Sequence, residues 1–251
     1  MAVTATSHGL ALLIFGVLVV LVPAPSSAPA LWSGAAAGVF GGIGVSALFA
    51  ALARGRMSVV APVTAALSGS LPALYDLARG QHLGTAPIAG LVLALVATIT
   101  VSATAHPEDD GTHALPPAAL ALAVLSGVAF AGAFISFSFA PHDSGFWPLL
   151  AARITSFAML GTVTLARRRT LALDAGARSK ALASGVLEAS ANVTMLWSIR
   201  LGPLAVASVL GSLYPVMTLL LARVVLKEKL HGLQRAGVGL ALVAVILTAL
   251  R

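Results

Sequence analysis

Apolar residues run along this chain in stretches as long as a bilayer-crossing helix, separated by short breaks that are polar or rich in Gly and Pro. A helix needs about 20 predominantly apolar residues to cross the hydrocarbon core. Runs of that length fall at 4–23, 31–53, 57–78, 85–104, 117–139, 146–166, 180–199, 203–225 and 232–250. The breaks include Pro23-Ala24-Pro25-Ser26-Ser27, Arg54-Gly55-Arg56, Arg79-Gly80, Pro107-Glu108-Asp109-Asp110-Gly111, Arg167-Arg168-Arg169, Gly202-Pro203 and Lys227-Glu228-Lys229. The longest polar stretches, His106–Thr112 and Arg167–Lys180, are too short to be a soluble domain. The pattern predicts an all-α fold, a polytopic membrane helix bundle of about nine transmembrane helices, with function placed inside the bundle.

Composition agrees. Of 251 residues, 59% are hydrophobic and 9% charged, against about 25% charged in soluble domains, and mean hydropathy is +0.99. The net charge of +7 sits in short loops between apolar runs. That placement suits anionic lipid head groups and not nucleic acid. Cysteine is absent, which excludes a disulfide framework, a thiol nucleophile and a thiolate metal site. The first apolar run lacks a basic leader and passes directly into further spans, so it is not read as a cleavable signal. His106, Glu108, Asp109, Asp110 and His113 are metal-ligating types, but they lie in a loop with no regular geometry to fix them. No nucleophile–base pair or phosphate-cradling glycine loop is present. The expectation is no enzyme, no cofactor and no resident metal.

An internal repeat organises the spans. Gly90-Leu91-Val92-Leu93-Ala94-Leu95-Val96-Ala97 resembles Gly237-Val238-Gly239-Leu240-Ala241-Leu242-Val243-Ala244, a displacement of 237 − 90 = 147. The same displacement pairs Leu83 with Leu230, Val59 with Val206, Gly55 with Gly202 and Gly38 with Gly185. Each repeat holds about five helices, and an odd number inverts the second repeat relative to the first, an arrangement common in secondary transporters. The predicted repeats are 1–105, four helices and amino-terminally incomplete, and 116–251, five helices; the first helix of the ten is expected to be missing. The positive-inside rule places Arg54, Arg56, Arg167, Arg168, Arg169, Arg178, Lys180, Arg223, Lys227, Lys229 and Arg235 in the cytoplasm, against Arg79, Arg153, Arg200 and Arg251 outside. The amino terminus is then cytoplasmic and the carboxy terminus outside.

The segment Leu213-Tyr214-Pro215-Val216 … Leu226-Lys227-Glu228-Lys229-Leu230 … Gly237-Val238-Gly239 resembles EamA-type members of the drug/metabolite transporter superfamily, built from two five-helix repeats. Their pattern has a proline within the ninth helix, a Glu at the following turn and a Gly-initiated last helix. The resemblance covers about residues 8–250, with Gln81 in the first repeat where the second has Glu228. It implies a secondary transporter in the plasma (inner) membrane that moves a small metabolite, amino acid or drug by alternating access, with efflux the expected direction. A transport-inactive assembly subunit and a lipid-linked-sugar flippase are the alternatives. The expected partners are a small-molecule substrate and the lipid bilayer, with protons and a second copy of the chain as further candidates.

Glu188 is an acid in the middle of an apolar run, where a carboxylate costs about 2.5–3.5 kcal/mol or more. Ser184, Glu188 and Asn192 follow at i, i+4 and i+8 and share one helix face. That face can exchange a proton or hold a cationic substrate; structural hydrogen bonding to a neighbouring helix is the plainer role. Arg153, several residues inside its span, either counters an anionic substrate or reaches the interface near Asp143. Tyr214 and Ser212 are candidate cavity contacts, whereas Tyr75 and Trp197 read as interfacial anchors. Pro62, Pro72 and Pro215 are expected to interrupt helices near a cavity or simply to kink them. Gly34, Gly38, Gly42 and Gly185 form small-residue stripes that let helix backbones approach closely. Asp76 and Arg223, at equivalent repeat positions, read as interfacial, and Glu228 as a loop ion pair between lysines.

Overall fold

Each predicted span becomes helix in the computed structural model, which describes residues 2–55, 57–103, 116–166, 175–225 and 232–249. The segments are α1 (Ala2–Leu21), α2 (Ala28–Leu52), α3 (Met57–Ala78), α4 (Thr85–Ala103), α5 (Pro117–Ser138), α6 (Trp147–Ala166), α7 (Ala175–Leu201), α8 (Leu204–Gly211), α9 (Tyr214–Val225) and α10 (Gly232–Ala249). No strand occurs among the described residues. The predicted span 203–225 is divided into α8 and α9. Pro215 explains why: it lacks the amide that would bond the Gly211 carbonyl, and it sits in the first turn of α9, where that amide is dispensable. Across the break, the amides of Leu213 and Val216 reach back only three residues, to Leu210 and Leu213.

The helices gather into two compact units, one comprising residues 1–43 and 132–201, the other 44–131 and 202–251. Each unit draws helices from both halves of the chain, and α2 and α5 contribute one end to each.

In the first unit α1 packs against both α6 and α7. Phe15, Leu149 and Leu196 are fully buried, and small residues bring the backbones close enough to bury them. The stripe Gly34, Gly38 and Gly42 lies directly on α6: a Cβ at these positions would meet the Pro148 backbone, Thr155 with the Ala152 backbone, and Met159. The Thr155 hydroxyl donates across this seam to the Ala35 carbonyl at 3.2 Å. On α7, a Cβ at Gly185 would lie 2.9 Å from the Ser7 carbonyl oxygen of α1, and Ser7 Oγ donates to the Ala181 carbonyl at 2.9 Å. Gly38 and Gly185, 185 − 38 = 147 residues apart, each sit at a helix crossing.

In the second unit α3 packs on α4 and α8, and α4 on α10. The core is largely alanine with a few larger residues: Ala73, Leu91, Ala94, Ala97, Ala205, Val209, Leu213, Val216, Ala241 and Ala244. Gly90 lies against the Ala244 carbonyl and Thr248. Asp76 Oδ2 accepts from the Ala205 amide at 3.0 Å, so the carboxylate read as interfacial caps the amino end of α8, where the helix dipole favours negative charge. A smaller cluster, Ala51, Val60 and Ala123, forms where ends of α2 and α5 meet α3. Ser126 donates to the Gly44 carbonyl there and Thr64 to the Ala123 carbonyl.

One expectation is corrected. α3 runs unbroken through Pro62 and Pro72. Each proline removes one amide from the ladder, yet both lie in a helix whose inner face, Val60, Thr64, Ser68 and Pro72 among it, is buried. Packing and side-chain hydroxyls hold such a helix together.

Gly38→Ala is expected to destabilise the protein by about 1–3 kcal/mol, because the added methyl meets α6 backbone. Gly161→Ala, with open space around it, should stay within about 0.5 kcal/mol of the parent. Thermal or denaturant unfolding in detergent micelles measures both.

Candidate functional site

Three helices of the first unit each bring one ionisable side chain to the same place. α1 supplies His8, α6 Arg153 and α7 Glu188. The local reason is the pair of small-residue crossings: Gly185 and Ala181 let α7 lie against the α1 turn that carries Ser7 and His8. Arg153 Nη1 donates to Glu188 Oε1 at 2.7 Å. His8 Nε2 lies 3.3 Å from the same oxygen. His8 Nδ1 lies 3.1 Å from Ser156 Oγ, and Arg153 Nη1 lies over the ring, 3.1 Å from Nδ1 and 3.4 Å from Nε2.

A carboxylate only accepts, so the neutral tautomer that suits Glu188 has its hydrogen on Nε2 and leaves Nδ1 to accept from Ser156. The cluster holds one positive and one negative charge, which a low-dielectric interior tolerates far better than either alone.

Exposure within the cluster is unequal. His8 is 3% and Arg153 7% exposed, whereas the Glu188 side chain is 29% exposed. The arginine and histidine are built into the protein, and the acid is its open member. Both described ionic contacts land on Oε1.

Arg153 is therefore not an interfacial residue near Asp143; it is buried against Glu188, which satisfies its charge within the unit. Asn192 turns back on its own helix, donating from Nδ2 to the Glu188 carbonyl at 2.7 Å, and Ser184 is exposed. The three-residue face predicted on α7 thus contributes Glu188 to the cluster, with Asn192 steadying the backbone beneath it. The loop after α5 is held separately: Arg200 Nη2 donates to the Pro141 carbonyl and to Ser144 Oγ, at 3.2 and 2.9 Å.

Tyr214 and Ser212 belong to the second unit. Tyr214 Oη donates to the Ala61 carbonyl at 3.1 Å, beside Pro62, and Ser212 Oγ bonds the Val209 carbonyl at 2.7 Å, next to Gly69. Pro215 marks the α8–α9 break. Tyr75 accepts from Arg79 Nη1 at 2.9 Å, and Trp197 is exposed. The metal-ligating types of His106–His113, and Glu228 with its flanking lysines, lie outside the described residues. So does the side chain of Arg223. An apolar groove of about 300 Å³ follows the α1–α7 seam, lined by Ile14, Leu18, Val186, Ala189, Ser190, Val193 and Thr194. At 100° per residue, its α7 wall lies on the side of that helix away from Glu188.

His8 and Ser156 were not singled out by the sequence. The available signal was that His8 is the one ionisable residue in the run 4–23.

Helices with exposed apolar faces, such as Leu13, Val17 and Val20 of α1 or Leu242, Val245 and Ile246 of α10, together with a charge cluster kept inside, define an integral membrane helix bundle. Among the described residues α2 and α5 are long and apolar enough to cross a membrane by length and composition. The EamA-like transporter family matches residues 117–250, which is 250 − 117 + 1 = 134 of the 251 residues, and the chain belongs to that family. A solved crystal structure superposes with a TM-score of 0.75, covering 99% of this chain and 88% of its own, at 17% identity; the likeness is one of fold. No curated protein matches the sequence.

Glu188→Met is expected to cost about 3 kcal/mol, because it leaves the buried Arg153 unpaired. Arg153→Met should cost less, since the acid it strands is the more open partner. The double variant should be more stable than the sum of the two, and a double-mutant cycle on thermal unfolding in micelles reads the coupling directly.

Proposed function

We propose that the protein is a proton-coupled secondary transporter in the plasma membrane, moving a small metabolite, amino acid or drug by alternating access, with Glu188 as the coupling acid. Family membership supports transport in general. The observation that carries the finer reading is the unequal cluster: an open carboxylate held by a buried arginine and a buried histidine drawn from three helices.

Protonating Glu188 changes its chemistry toward both partners at once. The neutral acid no longer neutralises Arg153, and its charge-assisted bond, the stronger kind, is lost. α1, α6 and α7 are then released from a common tie, and deprotonation restores it. A two-state tie of this kind, biased by one proton, is what alternating access requires. Ser156, bonded to His8, and Asn192, bonded to the Glu188 backbone, keep the ring and the α7 turn in register between the two states.

Glu188→Gln keeps an acceptor oxygen toward Arg153 but cannot ionise. In proteoliposomes containing a trapped pH dye and challenged with amino acids, organic acids and cationic drugs, the parent should show solute-driven proton flux. Glu188→Gln should show none while inserting to the same level. Flux in that variant equal to the parent would remove Glu188 from the coupling.

A further inference from the structure

The groups around Glu188 Oε1 are donors. Arg153 Nη1 reaches that oxygen at 2.7 Å, and His8 Nε2, which carries the hydrogen in the tautomer that suits Glu188, lies 3.3 Å from it. Both residues are more than nine-tenths buried, while the acid they hold is the open member. Glu188 therefore occupies, with one of its own oxygens, a position built for an oxyanion. We infer that the transported solute is a small oxyanion, a carboxylate or its equivalent, which takes the place of Glu188 on Arg153 and His8. This assignment rests on the carrier reading above.

The exchange follows from charge. Among the described residues, the ionisable groups that face Glu188 are His8 from α1 and Arg153 from α6. When Glu188 is ionised the cluster is neutral and the position is filled. When Glu188 takes up a proton, Arg153 keeps its charge, and the site carries one uncompensated positive charge with two donors converging on it. A solute carboxylate restores neutrality with the same hydrogen bonds, because it presents the same atoms as the side chain it replaces. A proton and an anion then occupy the site together, and neither is held as well alone. Arginine suits the task because its planar fork matches carboxylate geometry and its charge is permanent. A cationic solute would instead seek Glu188 itself and would leave the buried Arg153 with a competitor for its acid.

The test uses the purified full-length chain in detergent and reads thermal unfolding by tryptophan fluorescence. In Glu188→Ala the position is vacated, so sodium acetate should raise the melting temperature by a few degrees over equal sodium chloride. The parent at neutral pH, with its own carboxylate in place, should respond far less, and adding Arg153→Gln to Glu188→Ala should remove the response. Acetate without effect on folded Glu188→Ala, or ethylammonium chloride stabilising the parent, overturns the assignment. Should Glu188→Ala fail to fold, the parent at acidic pH with sodium methanesulfonate, an anion that stays charged there, gives the same reading; stabilisation over chloride is expected, and its persistence in Arg153→Gln overturns the site. An acetate response with no solute-driven proton flux in vesicles sinks the carrier reading and keeps the oxyanion site. Flux driven by cations alone, with no acetate response, does the reverse.

Discussion

A charged pair inside a membrane bundle can neither separate cheaply nor be ignored by the helices that carry it. Arg153 and Glu188 meet at 2.7 Å, and isolating either from water without its partner costs several kcal/mol. That constraint reaches well beyond two side chains. It requires α6 and α7 to present their charges at one depth and α1 to bring a hydrogen-bonding ring between them. It also requires crossings tight enough for the contacts to close. The small residues at Ala181 and Gly185, with Ser7 bonded to the Ala181 carbonyl, are the means by which α1 comes so near α7. The polar site and the small-residue stripe are therefore one structural device, since small residues on α7 let the α1 turn that carries His8 come close enough to reach Glu188.

The second unit solves a different problem. Its one described carboxylate within a helix, Asp76, ends α3 and neutralises the free amide end of α8, a local electrostatic use with no arginine involved. Four of its hydroxyls are satisfied by carbonyls: Thr64, Ser126, Ser208 and Tyr214 each donate to a backbone oxygen of another segment. Alanine and glycine dominate its interior, so helices pack through backbone proximity and dispersion, the main attractions left when lipid is as apolar as the side chains. Close backbone packing is thus common to both units, and among the described residues the His8–Arg153–Glu188 cluster belongs to the first.

What could be read from the sequence divides along physical lines. Spans were legible because bilayer thickness sets their length, and the family's proline pattern foreshadowed the break before Pro215. Glu188 stood out because an acid amid apolar residues is costly wherever it points. Arg153 was visible, but its partner was not: a long flexible side chain can reach several places, and Asp143, ten residues away in sequence (153 − 143), looked nearer than Glu188. His8 was hidden by its own ambiguity, since an imidazole near the end of an apolar run is equally at home at an interface. Pro62 and Pro72 misled for another reason. Proline removes a hydrogen bond, but whether the helix ends there depends on neighbours, and α3 is gripped on its inner face.

The imidazole of α1 and the acid of α7 are 188 − 8 = 180 residues apart, and the guanidinium emerges between them. α1 therefore carries a polar ring whose partners are synthesised only after α2 to α5 have followed. Until then α1 must wait in the bilayer, or at its edge, with that ring unsatisfied. Late docking of an early helix is slow because its contacts are so non-local. The tie between α1, α6 and α7 is thus among the most non-local contacts of the fold, and it can form only once all three helices have been made.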